Sequence, residues 1–358
     1  IFGTGNVGGT LIDQILESGK SIEESKRIRL NIFAVGNSQK LLLGKSEINE
    51  NWRAHLEEYG KHYDVWDIIT YAQVHRLDNL IAVDNTASEE FIENYQALVK
   101  NGFDLVSSNK TGNAGSYAFY KSLRQVLRKT GREYLYEANV GAGLPLIDTI
   151  RLLHISGDKI HRIQGVFSGS LSYIFNNFSS REIPFHQVLS EAATHGLTEP
   201  DPREDLSGKD VSRKLLILAR ELGICQEYES IENRNLIPED LGKQNLDYFL
   251  NNLQNLDSHF EAIKQRVKPG HVLRHIGELS IHRKNSQVQL KAGLSEVPEN
   301  SALGQLSGSD SLFEIYTESY GTNPIIIRGA GAGATVTARG VFGDILRLAD
   351  RVKKEKVM

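Results

Sequence analysis

The chain has 358 residues, 40% apolar and 24% charged, with 32 glycines, 8 prolines and a formal charge of −4, an ordinary globular profile long enough for two domains of usual size. That charge gives no electrostatic reason to seek nucleic-acid phosphates or anionic lipid, so neither is expected as a partner. Apolar runs such as Leu215–Ala219 and Ile325–Ile327 fall far short of the roughly 18 to 20 residues of a membrane span, and no signal or transit peptide is visible. The single cysteine, Cys225, excludes an intrachain disulfide and a cysteine metal cluster, which fits a reducing compartment and points to the cytoplasm. The chain opens at Ile1 and its only Met is the last residue, so part of the native N-terminus is expected to lie upstream.

Ile1-Phe2 reads as the stub of a strand entering the turn Gly3-Thr4-Gly5-Asn6-Val7-Gly8, and the steps Val7, Leu11, Ile15 predict a helix with Gly19 as its stop. The apolar run Ile28–Val35 predicts a strand, and Leu80–Val83 and Leu105–Ser107 predict two more. Between the latter two, Ser88 caps a helix carrying Phe91, Ala97 and Leu98 and closed by Gly102. Strands spaced by helices of this length imply a parallel sheet with crossover helices. After Tyr134–Ala138 the pattern changes at the loop Gly141-Ala142-Gly143-Leu144-Pro145. Strand-like runs Ile160–Phe167, Val272–Ile281, Val288–Leu294 and Phe313–Thr317 then alternate less regularly with helices, as in a mixed α+β domain. The polar stretch Gln226–Asp257 reads as helical surface, and the glycine-rich Gly329–Gly333 with a helix through Leu346 reads as a return to the first domain.

In the glycine turn, Gly3 permits the tight bend, Gly5 lets the backbone approach a pyrophosphate, and Gly8 lets helix and strand pack closely. The helix N-terminus offers free N–H groups to the phosphates. The same six residues can form a βα turn with no ligand, but their place at the head of a βαβ series favours a dinucleotide. Ribose preference is set at the end of the second strand, where a carboxylate accepts from the 2′-hydroxyl of NAD and repels a 2′-phosphate. The stretch Val35-Gly36-Asn37-Ser38-Gln39-Lys40 has no acid there, and Ser38 and Lys40 can hold a phosphate, so NADP is expected over NAD.

Thr198–Asp205 forms a rigid acidic loop leading into a helix, Gly208–Leu222, that buries Val211, Leu215, Leu218 and Leu222. Asp210 and Lys214 lie four apart and project from one face of its first two turns. Alone, such a pair is an exposed ion pair worth a few tenths of a kcal/mol. Beside the acidic loop it has a second reading, in which the lysine is an acid for an alkoxide, Asp210 orients it, and Glu199 and Asp205 hold a substrate ammonium. Lys110, in Ser107-Ser108-Asn109-Lys110, follows a first-domain strand at the carboxyl end, where open parallel sheets bind ligands. Cys225 has no neighbouring His and reads as an inert thiol. The 11 histidines show no zinc spacing, and His195 reads as a helix-end or packing residue.

With these residues assembled, the chain resembles the homoserine dehydrogenases over nearly its whole length. The most specific stretches are Ser108-Asn109-Lys110, Glu137 through Pro145, Gly165 through Ile174, and Glu199-Pro200-Asp201-Pro202 through Asp205 to Gly208-Lys209-Asp210-Val211-Ser212-Arg213-Lys214. Gly36-Asn37-Ser38 and Asn49-Glu50-Asn51-Trp52 look closest to the dehydrogenase half of bifunctional aspartokinase–homoserine dehydrogenases, which implies a fused N-terminal kinase outside this chain. Monofunctional bacterial members often carry a C-terminal regulatory domain, for which the chain stops too soon after Arg347. Ser170 stands where the family commonly has Thr and keeps the hydroxyl; Ala138 varies a site often held by another small residue.

The resemblance implies an α/β fold, with a Rossmann-type parallel-sheet domain at 1–145 and 330–358 and a mixed α+β catalytic and dimerisation domain at 146–329. It implies Lys214 as proton donor beside Asp210, Lys110 as a second catalytic lysine, and Glu199 and Asp205 as amino-acid ligands with Gly169 and Ser170 nearby. Asn85 and Thr86 after the Leu80–Val83 strand, Ser108 and Gly333 match cofactor contacts, joining the turn Gly3–Gly8 and Asn37, Ser38 and Lys40. Backbone oxygens of Val140, Ala142 and Leu144, with Glu137, match a structural Na⁺ or K⁺ site. The expected reaction is NADP-preferring interconversion of L-aspartate 4-semialdehyde and L-homoserine, in threonine and methionine biosynthesis. Two rivals differ in class: a nucleotide sensor without turnover, and a phosphorylating semialdehyde dehydrogenase, which needs a thiolate that only Cys225 can supply. A homodimer or higher oligomer is expected, partly from the resemblance and partly because Val272–Ile281 and Val288–Leu294 look like a meander whose sheet can continue across a two-fold axis.

Overall fold

Phe2 is bridged in parallel to Gly36 on one side and to Asp84 on the other, so the apolar stub at the head of the chain is a central strand position of a parallel sheet. In the computed structural model, which describes residues 1–44, 48–282 and 287–355, the chain divides into two units. One is Ile1–Gly143 with the C-terminal stretch from Gly333, and the other is Leu144–Ala332.

The first unit contains β1 (Ala34–Gly36), β2 (Leu41–Leu43), β3 (Leu80–Asp84), β4 (Phe103–Ser107) and β5 (Tyr134–Leu135). β2 is antiparallel to β1, while β3, β4 and β5 are parallel neighbours in that order. Phe2 N–H donates to Val83 O and Gly3 N–H to Gly36 O, both at 2.8 Å, which joins the two groups of strands. Helix Asn6–Lys26 and the C-terminal helix Ala334–Glu355 supply Leu11, Ile15, Ala338, Val341, Phe342, Ile345 and Leu348 to one core with Val83, Val106 and Leu135. Each such buried Leu, Ile, Val or Phe side chain contributes about 1.5–3 kcal/mol. Ser88 Oγ accepts from Phe91 N–H at 3.1 Å, but the segment between β3 and β4 opens as a 3₁₀ turn, Phe91–Asn94, with Glu90 at its N-cap, and is α-helical only over Tyr95–Lys100, after which Gly102 takes φ 93°.

Two further expectations fail here. Gly19 does not stop the first helix, which runs to Lys26 and ends at Arg27 with φ 56°. A helical glycine costs only about 1 kcal/mol, and Ile22, one turn further on, packs against the core. The predicted strand Ile28–Val35 is ordered as a strand only from Ala34. Ile28–Phe33 instead line a cavity of about 590 Å³ together with Leu80–Val83; Phe33 O accepts from Gly44 N–H at 2.9 Å, but among the described residues this run joins no strand ladder.

The second unit is built on β6 (Ile160–Val166), β7 (Glu232–Asn233), β8 (His271–Ile281), β9 (Val288–Pro298), β10 (Asp310–Thr317) and β11 (Ile325–Ala330). Their order is β11-β10-β6-β8-β9-β7, antiparallel throughout except for β7 beside β9. Helices Gly169–Ser180 and Lys209–Glu221 pack against β8. An aromatic cluster fixes this layer: Phe185 stacks on Phe260 at 3.6 Å between centroids, and Phe167 meets Phe313 edge-on at 4.9 Å.

The β8–β9 meander therefore does not offer two free strands. β8 is interior, and β7 covers β9 at Lys291 and Ala292. Nor is Gln226–Asp257 merely helical surface. It contains β7 and buries Ile231, Leu236, Ile237, Leu241, Phe249 and Leu256, because its apolar residues are spaced for short turns rather than for one helix stripe. Leu222, expected to be buried, caps the Lys209–Glu221 helix and is half-buried.

Candidate active site

The glycine turn of the first unit has the sterics that a nucleotide cradle requires. Gly3 has φ +83°, and a Cβ there would lie 2.7 Å from the Asn85 carbonyl; a Cβ on Gly8 would lie 1.8 Å from Gly3 O. Nothing lies within 4 Å of a Cβ placed on Gly5, so the backbone is open to a ligand at that point. Gly5 is the N-cap of helix Asn6–Lys26 and offers no side-chain cap, which leaves first-turn N–H groups, Asn6 and Val7 among them, for an anion. These features fit a dinucleotide pyrophosphate.

At the end of β1, Asn37 Oδ1 accepts from the N–H groups of Gln39 (2.8 Å) and Lys40 (2.7 Å), while Asn37 O accepts from Tyr63 OH at 2.8 Å. Ser38 is exposed at the tip of this turn. Lys40 Nζ is engaged by Glu57, donating to both its carboxylate and its carbonyl at 2.7 Å. Ser108 Oγ donates to Asn85 Oδ1 at 2.9 Å, which ties the turn after β3 to the turn after β4. Thr86 N–H is held by Asp84, Lys110 is half-buried at the N-cap of helix Thr111–Ala114, and Gly333, with φ +114°, leads into the C-terminal helix.

In the second unit the Asp210–Lys214 pair is no exposed helix pair. Lys214 is 8% exposed, its Nζ 2.8 Å from Asp210 Oδ2 and donating to Phe167 O at 2.7 Å. Phe167 directly follows β6, and Ser168 then caps helix Gly169–Ser180, accepting from Leu171 N–H at 3.3 Å. Ser170 Oγ lies 2.8 Å from Ser168 Oγ and donates to Asp205 Oδ1 at 2.6 Å. Asp205 Oδ2 accepts from Glu199 N–H at 2.8 Å, so Glu199, Ser170, Gly169 and Asp205 form one cluster, with the Glu199 side chain exposed. Burial pushes the Asp205 carboxyl above its ordinary range, against the hydrogen bonds from Ser170 and Glu199. Gly208, with φ +68°, turns the chain from the acidic helix Pro202–Leu206 into the lysine helix.

The remaining expectations are placed as follows. His195 packs edge-on against Tyr173 at 5.7 Å, and Cys225 is exposed. Glu137 is buried in the turn Glu137–Asn139, Val140 is buried, and Ala142 takes φ 56°, while Leu144 opens the second unit. Among the described residues no group of three or more His, Cys, Asp or Glu side chains is gathered around a metal position. One carboxylate with backbone carbonyls is a donor set that suits a hard monovalent cation.

Sequence reasoning missed three buried polar residues. Asp84 and Tyr95 lie under the turns after β3 and β4, with Tyr95 OH donating to Asp84 Oδ2 at 2.6 Å. His275, on β8, is buried beside Gly208, and its pKa falls to about 4 because burial disfavours the cation. Only an acid directly before Asn85-Thr86 was available as a signal for Asp84; for His275 there was none.

These features define a nucleotide-binding α/β unit joined to an α+β unit that carries a buried lysine among carboxylates. A family model for the homoserine dehydrogenase NAD binding domain matches residues 3–137, and one for homoserine dehydrogenase matches residues 145–346. The chain belongs to the homoserine dehydrogenase family. It is 40% identical over 353 residues to bifunctional aspartokinase/homoserine dehydrogenase 1 of Arabidopsis thaliana, covering 98% of this chain and 38% of that protein. It is 34% identical to bifunctional aspartokinase/homoserine dehydrogenase 2 of Escherichia coli, covering 98% of this chain and 43% of that one. The chain thus spans about two fifths of the length of these relatives. A Candida auris protein of unknown function superposes with a TM-score of 0.85 at 29% identity, covering 97% of this chain and 96% of that one. A hyperthermophilic archaeal homoserine dehydrogenase in complex with NADPH shares the fold, with a TM-score of 0.74 at 21% identity and coverage of 98% and 96%.

Proposed function

We propose that the protein is an NADP-preferring oxidoreductase interconverting L-aspartate 4-semialdehyde and L-homoserine, on the route to threonine and methionine. The observation that carries this reading is the burial of Lys214 between Asp210 Oδ2 and Phe167 O. A buried ammonium oriented by a carboxylate and a main-chain carbonyl is a suitable proton donor, and a carbonyl oxygen becoming an alkoxide is the acceptor it suits. When bound, the nicotinamide cofactor supplies or accepts the hydride. Lys214 Nζ gives its proton to the developing alkoxide and takes it back in the reverse direction, while Asp210 holds the ammonium in place. Exclusion of water strengthens this electrostatic help. Asp205 binds the substrate ammonium, with Glu199, because a carboxylate has about four acceptor positions and Ser170 and Glu199 N–H occupy two.

In the first unit, the turn Gly3–Gly8 holds the pyrophosphate. Asn85, Thr86, Ser108 and Gly333 complete the cofactor contacts, and Lys110 is a second catalytic lysine. Ser38, with Asn37 and Lys40, meets the 2′-phosphate. Glu137 and the carbonyls of Val140, Ala142 and Leu144 hold a structural Na⁺ or K⁺. The protein works in the cytoplasm as a homodimer or larger assembly joined through the second unit, beside a kinase fused upstream. Among the described residues the edges that such an interface can use are those of β11 and β7 and the parts of β9 that β7 does not cover.

The test is loss of NADPH absorbance on addition of L-aspartate 4-semialdehyde. A nucleotide sensor gives none. Alkylation of Cys225 leaves the rate unchanged if no thiohemiacetal forms, and abolishes it if the phosphorylating chemistry is correct.

A further inference from the structure

Asp84, at the carboxyl end of β3, is 3% exposed, and its side-chain oxygens accept from neutral donors. Oδ1 accepts from Thr86 N–H at 2.8 Å, and Oδ2 accepts from Tyr95 OH at 2.6 Å and Asn109 Nδ2 at 3.1 Å. Its main-chain oxygen accepts from Ser107 Oγ at 3.1 Å and Ser108 N–H at 3.0 Å. Asn109 in turn donates to Ser88 O at 2.9 Å, and its Oδ1 accepts from Thr111 N–H at 3.0 Å, across Lys110. One carboxylate therefore joins the turn Asn85-Thr86 to the turn Ser108-Asn109-Lys110.

Burying a carboxylate without a cation is costly, and a neutral isostere fails here for a specific reason. All three side-chain partners donate. An Asn at 84 would set its NH₂ against either Thr86 N–H or the Asn109 amide, and Asn109 cannot turn to accept without taking its oxygen away from Thr111 N–H. A group able to accept at both oxygens is thus what the geometry asks of this position, and it serves both turns at once.

We propose that Asp84 is a positioning residue that sets the turns carrying Thr86 and Lys110, without itself touching substrate or cofactor. This rests on reading those turns as cofactor and catalytic elements. Burial, which raises the carboxyl above its ordinary range, is opposed by the hydrogen bonds from Tyr95, Thr86 and Asn109 that this arrangement supplies.

The test compares wild type with Asp84→Asn and Asn109→Ala. NADPH affinity is read by fluorescence titration, with kcat, KM and the thermal midpoint measured alongside. Asp84→Asn is expected to lower kcat about 10- to 100-fold, the scale of a 1 Å misplacement, and to weaken NADPH severalfold. NADPH affinity and kcat in Asp84→Asn within twofold of wild type would overturn the proposal. Asn109→Ala, which opens the same bridge from its other end, replaces Asp84→Asn if that variant does not fold, and unchanged affinity and kcat there also overturn it. Wild-type protein that binds NADPH but turns over no aldehyde defeats the functional reading alone, and the affinities still decide the role of Asp84.

Discussion

Replacing Lys214 by Ala removes the ammonium that donates to Phe167 O and pairs with Asp210. If Nζ is the proton donor, turnover falls by about 10²- to 10⁴-fold, the range for a positioned general acid, or roughly 3–5 kcal/mol of barrier. The stability change is smaller and has a different origin. Phe167 O loses its charged donor, at about 1–3 kcal/mol, but the cost of burying an ammonium disappears with it. The Asp210 side chain is 46% exposed and regains water. Lys214→Met keeps most of the stem and so separates packing from chemistry. In both variants NADPH oxidation with the aldehyde should collapse while the dissociation constant for NADPH, read by fluorescence, stays within a few-fold of wild type. Near-normal kcat in Lys214→Met would remove the lysine as the acid. A parallel loss of NADPH affinity would show that the residue acts on cofactor binding.

Four further outcomes follow from the same geometry. Ser38→Asp places a carboxylate at the exposed tip after β1 and should lower the ratio of kcat/KM for NADP to that for NAD; an unchanged ratio puts the 2′-phosphate elsewhere. Because burial raises the Asp205 pKa, KM for homoserine should climb as pH falls through that raised value, since the neutral acid no longer holds an ammonium. Asp205→Asn should show a high KM without this limb, and a wild-type limb surviving in the variant refutes the assignment. Burial lowers the His275 pKa to about 4 in the folded protein, against an ordinary 6.5. From pH 6.5 down to 4 the unfolded chain takes up a proton that the native state refuses, so stability falls by at most about 3 kcal/mol. Urea midpoints at pH 7 and 4.5 should therefore diverge more for wild type than for His275→Leu, and equal losses would contradict the burial argument. Light scattering at micromolar concentration should give at least twice the 40.0 kDa chain mass, and a value near one chain mass counts against the dimer.

Local chemistry was legible in the residues wherever it depends on neighbours in the chain. The glycine turn could be read because φ +83° at Gly3 and the approach of Gly8 to Gly3 O are constraints within six residues. The same holds for the Ser88 hydrogen bond to Phe91 N–H, and for Asp210 and Lys214 sharing a helix face, since an i,i+4 relation is set by helical pitch alone. Whether that pair was a solvated surface contact or a buried acid was not legible. The answer depends on Phe167, 47 residues away, delivering its carbonyl to Nζ just past the end of β6. Asp84 was overlooked for the same reason, because the donors that justify it, Tyr95 and Asn109, reach it only when β3 and β4 lie side by side. Ile28–Phe33 shows the converse: strand-like composition expresses a readiness to pair, and a strand exists only where a second backbone supplies the ladder. Sequence alone thus determined turns, caps and helix faces, whose hydrogen bonds close within a few residues. Tertiary structure decided burial, strand pairing and the partners of each charge, because those free energies belong to contacts between segments far apart in the chain.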